Sequence, residues 1–243
     1  MLDTNTKEQF FFDEKTHRYY LNDKQMMGVT TVLGVISKPQ LIQWAANQAI
    51  QYVKDNVHEV IYSAEKFPIG VTVLNEILER AKTAHAQKRD KAADVGTLAH
   101  AEVEKFIKTG EWKPTKDEQI NEMVQKFIDW AVTNKVMFLE SEKVVHSKEH
   151  FFGGKFDFTC KIDGKTYLGD YKTGSGIYFE MFLQCAAYQL ALQEQEPDTK
   201  IDGHIIVNTT KDGKFNVATH YDYETTKQGF LSALNLYKLL NTN

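Results

Sequence analysis

After the run of helical spacing that begins at Pro39, the period of apolar residues changes near residue 136 from 3.6 to 2, from that of a helix to that of a strand, and nothing else in the sequence constrains the fold as much. Residues 10–35 open with alternating aromatic and polar residues and a turn at Asn22-Asp23, which predicts a short hairpin. Thr30-Thr31 is a helix start. Pro39, with φ already set for a first turn, opens a second helix with Leu41, Ile42, Trp44, Ala45, Ala49, Tyr52 and Val53 on one face. Three further helices are expected over 72–85, 90–108 and 116–135. Strands follow over 136–146, 152–162 and 165–173, the last two joined by Asp163-Gly164, a strong hairpin turn. Gly174 and Gly176 break the chain before a helix over 178–195. Strands over 201–208 and 214–221 flank Asp212-Gly213, and a helix over 224–240 closes the chain. This order predicts an α/β fold: a central mixed sheet flanked by helices. Residues 1–90 would form an N-terminal hairpin and helical cap packed on a core at 91–243.

With 243 residues, 42% hydrophobic and 26% charged, the chain has the balance of an ordinary globular protein. Its start, residues 1–8, is polar and mixed in charge, unlike a signal peptide, and no stretch is apolar for long enough to span a bilayer. Cys160 and Cys185 are too few for a disulfide framework or a four-thiolate metal site. Both lie in apolar company and read as reduced, buried thiols, so an intracellular protein is expected. A net charge of −4 weighs against a nucleic-acid partner, because phosphate affinity comes from Lys and Arg. It does not exclude one, since carboxylates that hold metal ions are neutralised in use.

The central hairpin concentrates the chemistry. Alternation places Phe156, Phe158, Cys160 and Ile162 on one face of its first strand and Lys155, Asp157 and Thr159 on the other. In the second strand Asp170 and Lys172 point the same way, with Leu168 before them, and Tyr171 points opposite. Two carboxylates and an ammonium near one end of a sheet suit metal-assisted hydrolysis of a phosphodiester. Carboxylates hold Mg²⁺ or Mn²⁺, and a lysine beside them offsets charge on the phosphorus oxygens. An Asp-x-Lys triplet alone is more often an exposed ion pair. Its surroundings are more specific. Gly153-Gly154 lets something approach the backbone closely or marks a turn; Gln184 and Tyr188 share a helix face with Glu180; His100 and Glu104 share another below Gly96.

Four segments resemble the RecB-type branch of the PD-(D/E)XK nuclease superfamily: Gly96-Thr97-Leu98-Ala99-His100, Gly154-Lys155-Phe156-Asp157, Asp170-Tyr171-Lys172-Thr173-Gly174 and Gln184-Cys185-Ala186-Ala187-Tyr188. Their order matches, and together they cover roughly residues 92–192. The N-terminal stretch, with His17-Arg18-Tyr19-Tyr20, Val29 to Leu33, Lys38, Leu41 and Trp44-Ala45, more softly resembles an extension seen in phage-type exonucleases of that branch. The resemblance implies a restriction-endonuclease-like core and a DNA exonuclease. It implies His100, Asp157, Asp170 and the carbonyl of Tyr171 as ligands of one or two Mg²⁺ or Mn²⁺ ions, and Lys172 as the catalytic lysine. Gln184 and Tyr188 would position the site or touch the DNA backbone, and Glu104 would support it. Two cysteines, both inside the matching region, predict no iron–sulfur cluster.

Arg80, Lys82, His85, Lys88, Arg89 and Lys91 form a basic stretch leading to His100, read either as a solvated helix face or as a phosphate-binding track. His17, Arg18, Tyr19, Tyr20 and Trp44 could stack on unpaired bases, although Trp44 is more simply a core residue. The competing expectation is a protein of this fold that binds DNA or acts as a scaffold without cutting it.

Overall fold

The computed structural model describes residues 9–64 and 69–241; the expectation drawn from residues 1–8 lies outside them. Eight strands form one mixed sheet, ordered β1-β2-β3-β5-β6-β7-β8, with β4 paired to β5 off that path. β1 (Phe10–Asp13), β2 (Arg18–Leu21) and β3 (Lys24–Gly28) make an antiparallel meander. Its second turn places Asn22 and Asp23 at φ +48° and +62°, the left-handed pair that Asn and Asp tolerate. α1 (Val29–Leu33) follows. The central part of the sheet contains β4 (Met137–Ser147), β5 (Phe152–Ile162) and β6 (Lys165–Lys172), with Asp163 and Gly164 at φ +48° and +79° between the last two. β7 (Gly203–Thr209) runs parallel to β6, and β8 (Phe215–His220) antiparallel to β7.

Four further helices complete this part. The C-terminal section of α4 (Ile69–Thr109) carries His100, and α5 (Glu118–Thr133) is capped by Asp117, which accepts from the amides of Gln119 and Ile120. α6 (Phe179–Gln195) and α7 (Tyr223–Asn241) cover one face of the sheet with α1, burying Val145, Phe152, Phe156, Leu168 and Ile206. On the opposite face Phe127 of α5 packs against Phe106, Phe138, Phe158 and Tyr171. The expected α/β arrangement, a mixed sheet flanked by helices, is what the chain forms.

Three expectations are corrected. The two helices expected at 72–85 and 90–108 are one helix of 41 residues. The connecting Ala86-Gln87-Lys88-Arg89 holds no proline, glycine or cap and consists of strong helix formers, so nothing stops the helix there. The faces assigned to β5 hold only in part: Phe156 joins the core under α6, whereas Phe158 packs on Phe127 and Phe138 on the other side. The alternation slips at Asp157, where the β4–β5 ladder passes from Ser141↔Phe158 to Lys143↔Phe156 and skips Glu142 and Asp157. The N-terminal hairpin is an extension of the sheet, since β3 pairs in parallel with β5 at Met27↔Phe152 and Gly28↔Gly153.

Two compact units result: residues 37–97, and residues 9–36 with 98–241. The first of these begins after the hairpin. It contains α2 (Pro39–Asp55), α3 (Val57–Ala64) and most of α4. No residue of α2 is buried, and Leu41 and Ile42, expected on an inward face, are exposed. Among the described residues no helix is long and apolar enough to cross a membrane.

Candidate active site

Pairing around β5 creates the site. β4 runs along one edge of β5. The other edge is shared: β3 takes its start, at Phe152 and Gly153, and β6 takes its end, from Phe158 to Ile162. Between them β5 and β6 part company after Phe158↔Gly169, so the next amides of β6 on that edge lose their ladder partners. The Asp157 carboxylate fills the opening, and its Oδ2 accepts from the Tyr171 N–H at 2.7 Å. A backbone donor that would otherwise be left bare is satisfied, and the carboxylate is fixed beside the end of β6.

The other residues converge on this opening from both sides of the sheet. On the α4 side, His100 Nδ1 stands 3.6 Å from Asp157 Oδ2, and its ring meets the edge of Tyr171 at 5.0 Å. On the α6 side, Lys172 Nζ lies 2.5 Å from Asp170 Oδ2 in an ion pair. Gln184 links the set. Its Oε1 accepts from Lys172 Nζ at 3.3 Å, and its Nε2 donates to Asp170 Oδ1 at 3.3 Å and to the Tyr188 hydroxyl at 2.8 Å. These partners also fix which way the amide faces. Tyr188 is buried and supports Gln184 from behind.

The glycine pair is explained by the same packing. A Cβ on Gly153 would lie 2.5 Å from the ring of Tyr19, and one on Gly154 would lie 2.3 Å from the ring of Tyr188. The backbone is approached closely here by the protein's own aromatic rings.

Electrostatics give each group a state. Burial, with the neighbouring Asp170 carboxylate, pushes the Asp157 carboxyl well above the ordinary carboxylate range, against the pull of Lys172 and the Tyr171 amide. Burial lowers Lys172, yet the Asp170 and Asp157 carboxylates outweigh it and leave the ammonium above its usual value. His100 is drawn down to about 4, chiefly by burial, with Asp170 opposing. At neutral pH the imidazole is uncharged and has a lone pair to offer.

These residues fit a divalent cation. Asp157 and Asp170 are two crowded carboxylates that share one ammonium, with Lys172 Nζ 2.5 Å from Asp170 Oδ2, so a further positive charge beside Asp157 would relieve them. The 3.6 Å between His100 and Asp157 suits two ligands of one ion, with bonds of about 2.1 Å. Asp170 stands farther off. Among the described residues, the one group of three His, Cys, Asp or Glu side chains with ligand atoms all within 4.8 Å is Glu149, His150 and Glu194, elsewhere on the surface. Glu194 there already binds Ser147 Oγ at 2.5 Å and the Lys148 amide at 3.0 Å.

No family model and no curated protein matches the sequence. Among solved structures, a Eubacterium rectale protein described as an exonuclease is 12% identical with a TM-score of 0.41, over 58% of this chain and 64% of that one. An alkaline exonuclease of Laribacter hongkongensis is 14% identical with a TM-score of 0.30, over 60% and 86%. The protein SSO0001 is 14% identical with a TM-score of 0.31, over 53% and 63%. The chain thus spans less than two thirds of two of these three. Similarity so remote leaves the chemistry to the site's own atoms.

The remaining expected residues lie as follows. Glu104 pairs with Lys108 one turn along α4. Arg80, Lys82 and Arg89 face Glu76 at 3.9 Å, Glu79 at 2.5 Å and Asp90 at 2.9 Å, and Lys88 donates to Gln48 at 2.8 Å. All four belong to the unit of residues 37–97, and acids are interleaved with them. Arg18 is exposed on β2, while the Tyr19 ring packs on Phe12 and Gly153 and burial raises its hydroxyl to about 12. One neighbour of the site carried no sequence signal. Glu142, at φ +55° opposite Asp157, forms an ion pair with Lys155. In sequence it is one more charge in an alternating strand.

Proposed function

We propose that this protein is a divalent-metal-dependent nuclease of the PD-(D/E)XK type, RecB branch, that hydrolyses phosphodiester bonds in DNA and works from an end. The observation that carries the proposal is Gln184 holding Lys172 and Asp170 together while Asp157 is pinned by the Tyr171 amide within reach of His100. His100, Asp157, Asp170 and the Tyr171 carbonyl would hold Mg²⁺ or Mn²⁺. When bound, such an ion supplies water activation and charge neutralisation at phosphorus. The chain's own groups do the rest. Asp157 and Asp170 would hold the cation that offsets their own repulsion of a phosphate. Lys172 directs its ammonium at oxygens that gain charge in the transition state, where a preorganised donor is worth most. Gln184 keeps that ammonium from swinging away, and Tyr188 keeps Gln184.

Labelled single- and double-stranded DNA incubated with Mg²⁺ or Mn²⁺ tests the proposal. Cleavage should be abolished by EDTA and fall at least ~100-fold in Lys172→Ala and in Asp170→Ala. Equal cleavage by the parent and Lys172→Ala would remove the lysine from its role. DNA binding with no cleavage under either metal would favour the scaffold.

A further inference from the structure

The skipped step of the β4–β5 ladder has a side chain on each strand. Asp157 belongs to the site. Glu142, across from it, adopts a left-handed backbone that disfavours any residue with a Cβ. Such strain persists where the surroundings over-determine it, and it clusters at functional positions. Here it turns a carboxylate that keeps only 17% of its surface onto the ammonium of Lys155. Lys155 lies two residues before Asp157, about 7 Å along the strand, and 32% of its side chain still faces solvent. Both charges reach the site: Lys155 acts on the His100 ring and Glu142 on the Asp157 carboxyl. An ordinary exposed ion pair contributes little and needs no strained backbone. This one fixes a partly exposed cation two residues along β5 from Asp157, on the strand that carries the proposed centre.

We infer that Lys155, steered by Glu142, grips the phosphate next to the one held at Asp157 and Asp170, so that the protein engages two successive phosphates of a single strand. This rests on the nuclease proposal for where the reacting phosphate sits. Glu142 is a positioning residue that acts through Lys155.

The test is equilibrium binding of a short fluorescent single-stranded oligonucleotide, read by anisotropy in Ca²⁺, beside a cleavage assay of the same preparations in Mn²⁺. Lys155→Gln should weaken binding about 10-fold, as for a lost charge-assisted hydrogen bond. It should also lower the slope of log K against log salt by about 0.7, one phosphate contact on a single strand. In cleavage its KM should rise more than its kcat falls. Lys155→Arg should restore affinity to within about 3-fold. Glu142→Gln should weaken binding less than Lys155→Gln, and the double variant should be no weaker than Lys155→Gln alone, because the two act as a unit. If Lys155→Gln does not fold, Lys155→Met, which keeps the apolar stem, takes its place. Affinity and salt slope unchanged in Lys155→Gln, in a parent that cleaves, would overturn the inference alone. Lys155-dependent binding by a parent that never cleaves would instead overturn the nuclease proposal and leave the phosphate contact standing.

Discussion

Gln184 shows how much one neutral side chain can organise. Its amide satisfies an acid, a base and a phenol at once, so removing it frees the Lys172 ammonium to follow Asp170 alone. Gln184→Leu, close in size, should lower kcat by about 10- to 100-fold through misplacement of the lysine; an unchanged kcat would show that Lys172 is held by other means. The pair Gln184 and Tyr188 was legible in the sequence because residues four apart share a helix face. That the buried Tyr188 ring packs on the Gly154 backbone was invisible in the sequence. A second buried polar residue gives a pH prediction. His204 Nε2 faces Gln189 Oε1 at 2.8 Å, and burial, helped by His220, lowers its pKa to about 4. Unfolded, it titrates near ~6.5. Its neutral form therefore favours folding above that value, and the benefit is lost as pH falls from about 6.5 through 4, amounting to ~3 kcal/mol across that window. Urea unfolding at pH 7 and pH 4.5 should show the parent losing more stability than His204→Gln. Equal losses would mean that His204 is not held neutral.

At the scale of elements, local chemistry was readable and distant pairing was not. Asp163-Gly164 set the β5–β6 hairpin from two residues, and Asp212-Gly213 did the same for the turn before β8, with Gly213 at φ +80°. The parallel contact of β3 with β5 joins segments far apart in the chain, which no short-range signal announces. The slip at Asp157 was hidden too, because strict alternation is assumed wherever a strand has no visible break. Yet that slip, with the parting of β5 from β6, makes room for the site. The Gly154 backbone tests how closely the elements are fitted. Gly154→Ala forces Tyr188 aside and should cost about 1–3 kcal/mol, whereas Gly176→Ala meets nothing within 4 Å and should cost far less. Denaturant midpoints compare them, and equal midpoints would show that Tyr188 moves freely.

The whole molecule combines an eight-stranded sheet, on which Asp157, Asp170 and Lys172 stand while helices bring His100, Gln184 and Tyr188, with a helical unit whose apolar and basic residues are largely exposed. Four short motifs indicated the centre because each places chemistry at a fixed offset within one element. Composition gave no such guide: a net charge of −4 describes the average surface and conceals a site that gathers two acids and an ammonium. The most direct measurement is a Mn²⁺ titration followed by electron paramagnetic resonance on the parent, His100→Ala, Asp157→Asn and Asp170→Asn. The parent should take up Mn²⁺ that all three variants hold at least ~10-fold more weakly. Three variants that bind Mn²⁺ as the parent does would contradict a shared cation between the helix-borne imidazole and the two strand-borne acids.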